Sequence, residues 1–111
     1  MPRDLFHALF EPMVAIPGEK DVVLIRIQAR GWKGGRAATA TVEMIDWFDE
    51  RTGFTGMERT TGWDGAIVAG MMARGQTPRG AQPVELAVPP ALFVEELEKR
   101  CIRVTSEVTY S

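Results

Sequence analysis

Cysteine and histidine are almost missing from this sequence. One of each, Cys101 and His7, leaves no internal disulfide to form and no Cys/His zinc site to build. An excess of positive charge is missing too: 13 Lys and Arg stand against 15 Asp and Glu, a net charge of −2, with the basic residues spread along the chain. That gives no electrostatic footprint for nucleic acid or an anionic membrane surface. No run approaches the roughly 20 apolar residues of a membrane-spanning helix. Asp4, His7 and Glu11 interrupt the N-terminal apolar stretch, which therefore lacks the core of a signal peptide. A reducing, cytoplasmic setting is the expectation. No G-x-G-x-x-G follows a strand pattern, and no Walker lysine loop is present. "GWKGGR" has the glycines, but it lies between two strand patterns without the helix N-terminus that phosphate binding uses. Asp46, Asp49 and Glu50 miss the EF-hand spacing and read as a solvated turn, so no metal site is expected.

What is present is ordinary for a globular chain. The 111 residues, 45% apolar and 25% charged, suffice for a single domain, 1–111, with one core. Leu5, Phe6, Leu9 and Phe10 recur at helical spacing between Pro2 and Pro12, which predicts a short amphipathic helix over 2–10 whose apolar face needs a cover. His7 falls on this helix with no second catalytic group near it, and reads as a helix-face histidine. "DVVLIRIQAR" at 21–30 and "RAATATVEMIDWF" at 36–48 alternate like strands, and "GWKGG" between them reads as a hairpin loop. Strands of about ten residues exceed the usual five or six and point to a sheet covered on one broad face. "IRVTSEVTY" at 102–110 is a third strand, and "PALFVEELEKR" from Pro90 is a helix with a Glu95–Lys99 pair. The fold class is α+β: a long antiparallel hairpin and a C-terminal strand in one sheet, packed by about three helices, with no Rossmann domain.

The stretch "MERTTGWDG" at 57–65 carries the functional interest. Thr60 or Thr61 can cap a helix running from about Gly62 to Arg74, with Asp64 near its positive end and Gly75 as its stop. Free amides at such a start favour a carboxylate, and an arginine can grip one with two bonds, so Arg59, Thr60 and Thr61 are a candidate anion site. Plain capping, with Arg59 on the surface, explains the same residues. Gly62, Gly65, Ala66, Ala69, Gly70 and Ala73 form a small-residue stripe. Its helix cost of about 1 kcal/mol per glycine calls for close approach of another backbone, on a sheet or in a second subunit. Trp63 suits a pocket, an interface or the core, and Trp32 at the hairpin tip suits a partner surface. Long strands, the stripe (Gly65, Ala69) and Trp32 together predict a homodimer. Cys101 has no activating neighbour and reads as a small buried residue.

"MERTTGWDGAIVAGMMARG", Gly80, "PVE" at 83–85 and "FVEELEKRCIRV", preceded by "DVVLIRIQARGWKGG", resemble in order and spacing the C-terminal portion of the saccharopine dehydrogenase family over roughly residues 21–110. Cys101 stands where that family commonly has glycine, and Val84 separates Pro83 from Glu85. The resemblance implies a domain that binds an amino-acid-like substrate and makes dimer contacts, beside a Rossmann domain, in cis or trans, that holds NAD or NADP. It makes Arg59, Thr60, Thr61, Gly62 and Trp63 the place to look for a small carboxylate-bearing substrate. It assigns no cofactor and no catalytic residue to this chain, which would not be active alone. A stand-alone, non-catalytic module that homodimerises or binds a small ligand is the other reading.

Overall fold

The computed structural model describes residues 1–111. Its elements follow in the order α1 (Pro2–Val14), β1 (Val22–Lys33), β2 (Arg36–Trp47), α2 (Gly56–Ala73), α3 (Val84–Ala87), α4 (Pro90–Glu98) and β3 (Val104–Tyr110). The three strands form one antiparallel sheet in the order β1-β2-β3. The fold is the expected α+β arrangement. The strands reach further toward the hairpin tip than expected. Lys33 pairs with Arg36, and the turn is Gly34–Gly35 alone, with φ of 60° and 76°. Two successive positive φ angles define the tight turn whose twist suits a hairpin, and glycine adopts them without strain.

The register decides where the core can sit. Met44 lies opposite Ile25 and Val104, Val42 opposite Ile27 and Ser106, and Ala40 opposite Ala29 and Val108. Alternation therefore gathers these residues, with Val23 and Tyr110, on one face of the sheet. The other face is polar in its middle, with Arg26 paired to Glu43 at 3.1 Å and Gln28 donating to Thr41 at 3.3 Å, and carries exposed Val22, Leu24, Ile45 and Trp47 at the end away from the tip. The helices α2 and α4 cover only the end of the apolar face away from the hairpin tip. There Met44, Ile67, Met71, Leu97 and Ile102 form the buried core, with Val23, Leu92, Phe93 and Val104 packed against it. Toward the tip the face lies open, and Ile27 is 59% exposed. The expectation of a fully covered face holds for half of it.

Two helices end in the same motif. At the end of α2, Gln76 N–H donates to Met71 O at 2.9 Å and Gly75 N–H to Met72 O at 3.0 Å, with Gly75 at φ 68° as the expected stop. After α4, Ile102 N–H donates to Leu97 O at 3.0 Å and Cys101 N–H to Glu98 O at 2.9 Å. The buried contact between Leu97 and Ile102 completes this cap. Cys101 occupies the left-handed position, φ 61°, that glycine fills in α2. It is exposed, not buried as its chemistry suggested, because the cap turns its side chain away from the core.

The helix α1 runs on through Pro12 to Val14 rather than stopping near Phe10. The rings of Phe6 and Phe10 stack at 5.0 Å, yet no other element approaches this helix. The chain is accordingly extended, with a radius of gyration of 18.2 Å against about 13 Å for a compact domain of its length. Its accessible surface is 8883 Å², where a compact 12.3 kDa protein shows about 6,100 Å².

Cys101→Gly relieves the left-handed strain without removing a packed side chain. It is expected to raise stability by about 1 kcal/mol, measured by urea unfolding; an unchanged or lower midpoint would contradict the cap geometry.

Candidate functional site

The helix that carries the candidate residues starts earlier than the sequence suggested. Its cap is Thr55, not Thr60 or Thr61. The Thr55 hydroxyl accepts from Glu58 N–H at 3.1 Å, and the Glu58 carboxylate accepts from Thr55 N–H at 2.8 Å, a complete capping box. The Asp21 carboxylate takes the next two amides, Gly56 N–H at 2.6 Å and Met57 N–H at 2.9 Å. Arg59 N–H already donates to Thr55 O within the helix. The carboxylate that a helix start favours is thus supplied by the chain itself. Thr60 and Thr61 lie one turn inside α2, where the Thr60 hydroxyl donates to Gly56 O at 2.8 Å.

Close approach of helix and sheet occurs at Gly56 alone. A Cβ there would stand 2.8 Å from the backbone oxygen of Asp46. Gly62 and Gly65 face open space, and Gly70 meets only the guanidinium of Arg74. The small-residue stripe, with Gly65 and Ala69, is therefore on the outer side of α2 in the single chain, opposite Ile67 and Met71.

Arg59 grips carboxylates as its chemistry suggests, but they are internal. Its Nε donates to Asp46 Oδ2 at 2.9 Å, one terminal nitrogen to Asp49 Oδ2 at 2.9 Å, and the other to Asp46 Oδ1 at 3.3 Å and Arg100 O at 3.2 Å. Both Arg59 and Asp46 are largely buried. Neither the surface arginine nor the solvated Asp46 of the sequence reading is found: alternation turns Asp46 to the α2 side of the sheet, where only a cation can compensate it. The hydrogen bond to Asp46 holds the Arg59 guanidinium above its ordinary pKa. Asp49 is held below its ordinary range by the Thr52 hydroxyl first and the Arg51 amide second, with Arg59 adding its charge.

Around this cluster lies a cleft of about 580 Å³ between the end of β2, the 48–54 turn, α2 and the end of α4. Arg51, Lys99 and Arg100 give it cations, and Trp47, Phe54 and Trp63 give it aromatic walls. Thr60, Thr61 and Gly62 do not line it. The Arg100 guanidinium lies 4.7 Å from the Trp63 ring centre, and its Nε is buried without a partner. Glu96 accepts from Lys99 at 2.8 Å and from Arg100 at 2.7 Å, which replaces the expected Glu95–Lys99 pair. These two cations, Lys99 first, lower the Glu96 pKa to about 2. Of the six cleft residues named, the sequence singled out Trp63 as a candidate ligand contact. The aromatic residues flanking the "DERTG" turn, and the Thr55-x-x-Glu58 box upstream of Thr60, were the available signals.

The model of the saccharopine dehydrogenase C-terminal domain matches residues 1–102. The chain belongs to that family. No solved structure matches it. In this saccharopine dehydrogenase C-terminal domain the match includes α1 and the whole hairpin, and so reaches further toward the N-terminus than the 21–110 stretch in which the resemblance was read. No helix is long and apolar enough to cross a membrane.

Two expected outcomes follow from the ion pairs. Arg59→Ala leaves Asp46 buried without its counter-ion, a loss of about 3–5 kcal/mol, seen as a drop in Tm of more than about 10 °C by calorimetry; an unchanged Tm would contradict the pairing. Glu96 has a folded pKa below its ordinary 4.5, so its contribution to stability is complete above pH 4.5 and is lost as pH falls toward 2. Glu96→Gln is expected to lower Tm at pH 7 and to flatten the fall of Tm across that window. An identical acid limb in both proteins would contradict the assignment.

Proposed function

We propose that this domain binds substrate and assembles subunits for a saccharopine dehydrogenase-like, NAD(P)-linked oxidoreductase acting on an amino-acid-type substrate. The observation that carries the reading is the cleft, where Arg51 stands without an ion pair beside Lys99, Arg100 and three aromatic side chains. Cations next to apolar walls suit a ligand with carboxylate groups on an aliphatic frame. Trp63 keeps its proposed role as a ligand contact. Arg59 acts from behind, tying α2 to Asp46 and to Asp49 of the 48–54 turn, while Thr60, Thr61 and Gly62 stand outside the cleft. In this reading the nicotinamide belongs to a Rossmann domain in cis or trans. The amides at the start of α2, the position at which a pyrophosphate would be held, already serve Asp21 and Thr55, so the residues present do not suit a dinucleotide.

A second reading is favoured by the large apolar surface: a homodimerising module without chemistry of its own, in which Trp32, Gly65 and Ala69 contribute contacts. Trp32 is 79% exposed, two residues from the hairpin turn.

The test is NMR titration with L-glutamate as the carboxylate-bearing probe. Saturable shifts are expected at the Trp63 indole and around residues 49–52, with affinity reduced at least about tenfold in Arg51→Ala. Shifts that stay linear with concentration, or an Arg51→Ala variant that binds equally well, would overturn the cleft as the substrate site.

A further inference from the structure

The balanced net charge conceals a local excess at the hairpin tip. Gln28, Thr41 and Glu107 stand in one row across the sheet. Beyond that row the strands carry Arg30, Lys33 and Arg36 and no acidic side chain. All three cations are exposed. The ion pair nearest the tip on the sheet is Arg26 with Glu43, two residues short of the row. Lys33 and Arg36 stand directly opposite each other across the Gly34–Gly35 turn. Like charges in that position repel and destabilise an isolated hairpin. An anionic neighbour converts the repulsion into attraction.

The same tip carries Trp32, 79% exposed against 64% for Trp47 and 38% for Trp63. Alternation puts Trp32 and Arg30 on the polar side of the sheet, and Lys33 and Arg36 on the apolar side. The cations therefore surround the tip instead of lining one face. Any layer laid over the apolar face would leave Trp32 and Arg30 free. Beyond the Ala38–Tyr110 pair only β1 and β2 remain, so the tip is a narrow two-stranded projection. The amides of Gly34 and Gly35 at its end make no hydrogen bond within the chain.

A projecting tip with charge on both sides suits a partner that closes around it. Lipid headgroups do so. Their phosphates accept cations and free amides, and the layer beneath them takes an indole ring. A single-stranded nucleic acid stacks on a row of aromatic platforms. The tip offers one free ring, because the Arg36 guanidinium already lies 5.0 Å from the centre of the Tyr110 ring. An acidic protein segment lying along one face would meet only the charges on that face.

We propose that the hairpin tip, from Arg30 to Arg36, docks on an anionic lipid bilayer. Trp32 sits at headgroup depth, and Arg30, Lys33 and Arg36 meet the anionic headgroups. The contact is peripheral, and it combines the two signals, apolar and electrostatic, that a surface anchor needs. The strands hold the tip about 35 Å from Trp47, so the cleft stays in water. The inference is independent of the substrate proposed for the cleft. It gives Trp32 a bilayer as its neighbour in place of a second chain.

The experiment is sedimentation of the full chain with phosphatidylcholine vesicles, with and without phosphatidylserine. The anionic vesicles are expected to hold the chain about a hundredfold more tightly, from roughly fivefold for each of the three cations. Raising the salt should erase that preference. Arg30→Glu with Lys33→Glu is expected to abolish it as well, and Trp32→Ala to weaken binding at least about tenfold. Both variants change exposed side chains, so circular dichroism and the L-glutamate titration should match wild type. Equal binding to the two kinds of vesicle would overturn the proposal, as would anionic binding that neither variant reduces. A single-stranded oligonucleotide bound more tightly than the anionic vesicles, through the same residues, would overturn it in favour of a nucleic-acid surface.

Discussion

The buried pair between Arg59 and Asp46 ties four parts of this structure together at one point. Through it the end of β2, the 48–54 turn, α2 and the turn after α4 meet at one guanidinium. The arrangement requires α2 to come very close to the sheet. Gly56 permits that approach, and Asp21 secures it by taking the first two amides of the helix. A carboxylate buried in this way is tolerable only with a cation and hydrogen bonds around it. The pair therefore fixes geometry more than it adds net stability. The cleft walls follow from that geometry, since Trp63 stands one turn after Arg59 on the same helix and Arg100 offers its carbonyl to Arg59.

The remaining structure is marked by what it leaves uncovered. Five apolar residues form the buried core, and three of them, Ile67, Met71 and Ile102, are almost completely enclosed. Beyond them the sheet continues toward its tip without a layer above it, and α1 stands without a layer beneath it. A domain with so much apolar surface in contact with water gains stability from association, because each neighbour removes area that its own fold does not.

Much of the fold was legible because its signals are local. Period-two alternation marked all three strands, Pro90 marked the start of α4, and Gly75 marked the end of α2. The candidate site was less legible, and the reasons are physical. Two threonine caps competed within a few residues. Thr55, with Glu58, won because Asp21, 35 residues from Gly56 in the chain, adds a long-range bond that no local window contains. Arg59 read as a ligand-binding residue because its chemistry is that of a carboxylate clamp; that its carboxylates are Asp46 and Asp49 depends on the strand register and on where α2 docks. Cys101 read as buried because sequence does not display the left-handed turn that carries it outward. The sites of Arg51, Lys99 and Arg100 come together only through tertiary contacts.

Proton exchange at the Arg59 side chain tests the central claim most directly. If that guanidinium is locked between Asp46 and Asp49, its Nε–H should exchange with water far more slowly at neutral pH than those of Arg3 and Arg79, and should appear as a resolved, shifted resonance. Exchange at the same rate as those two arginines would show an Arg59 free in solvent and would contradict the pairing on which the cleft geometry rests.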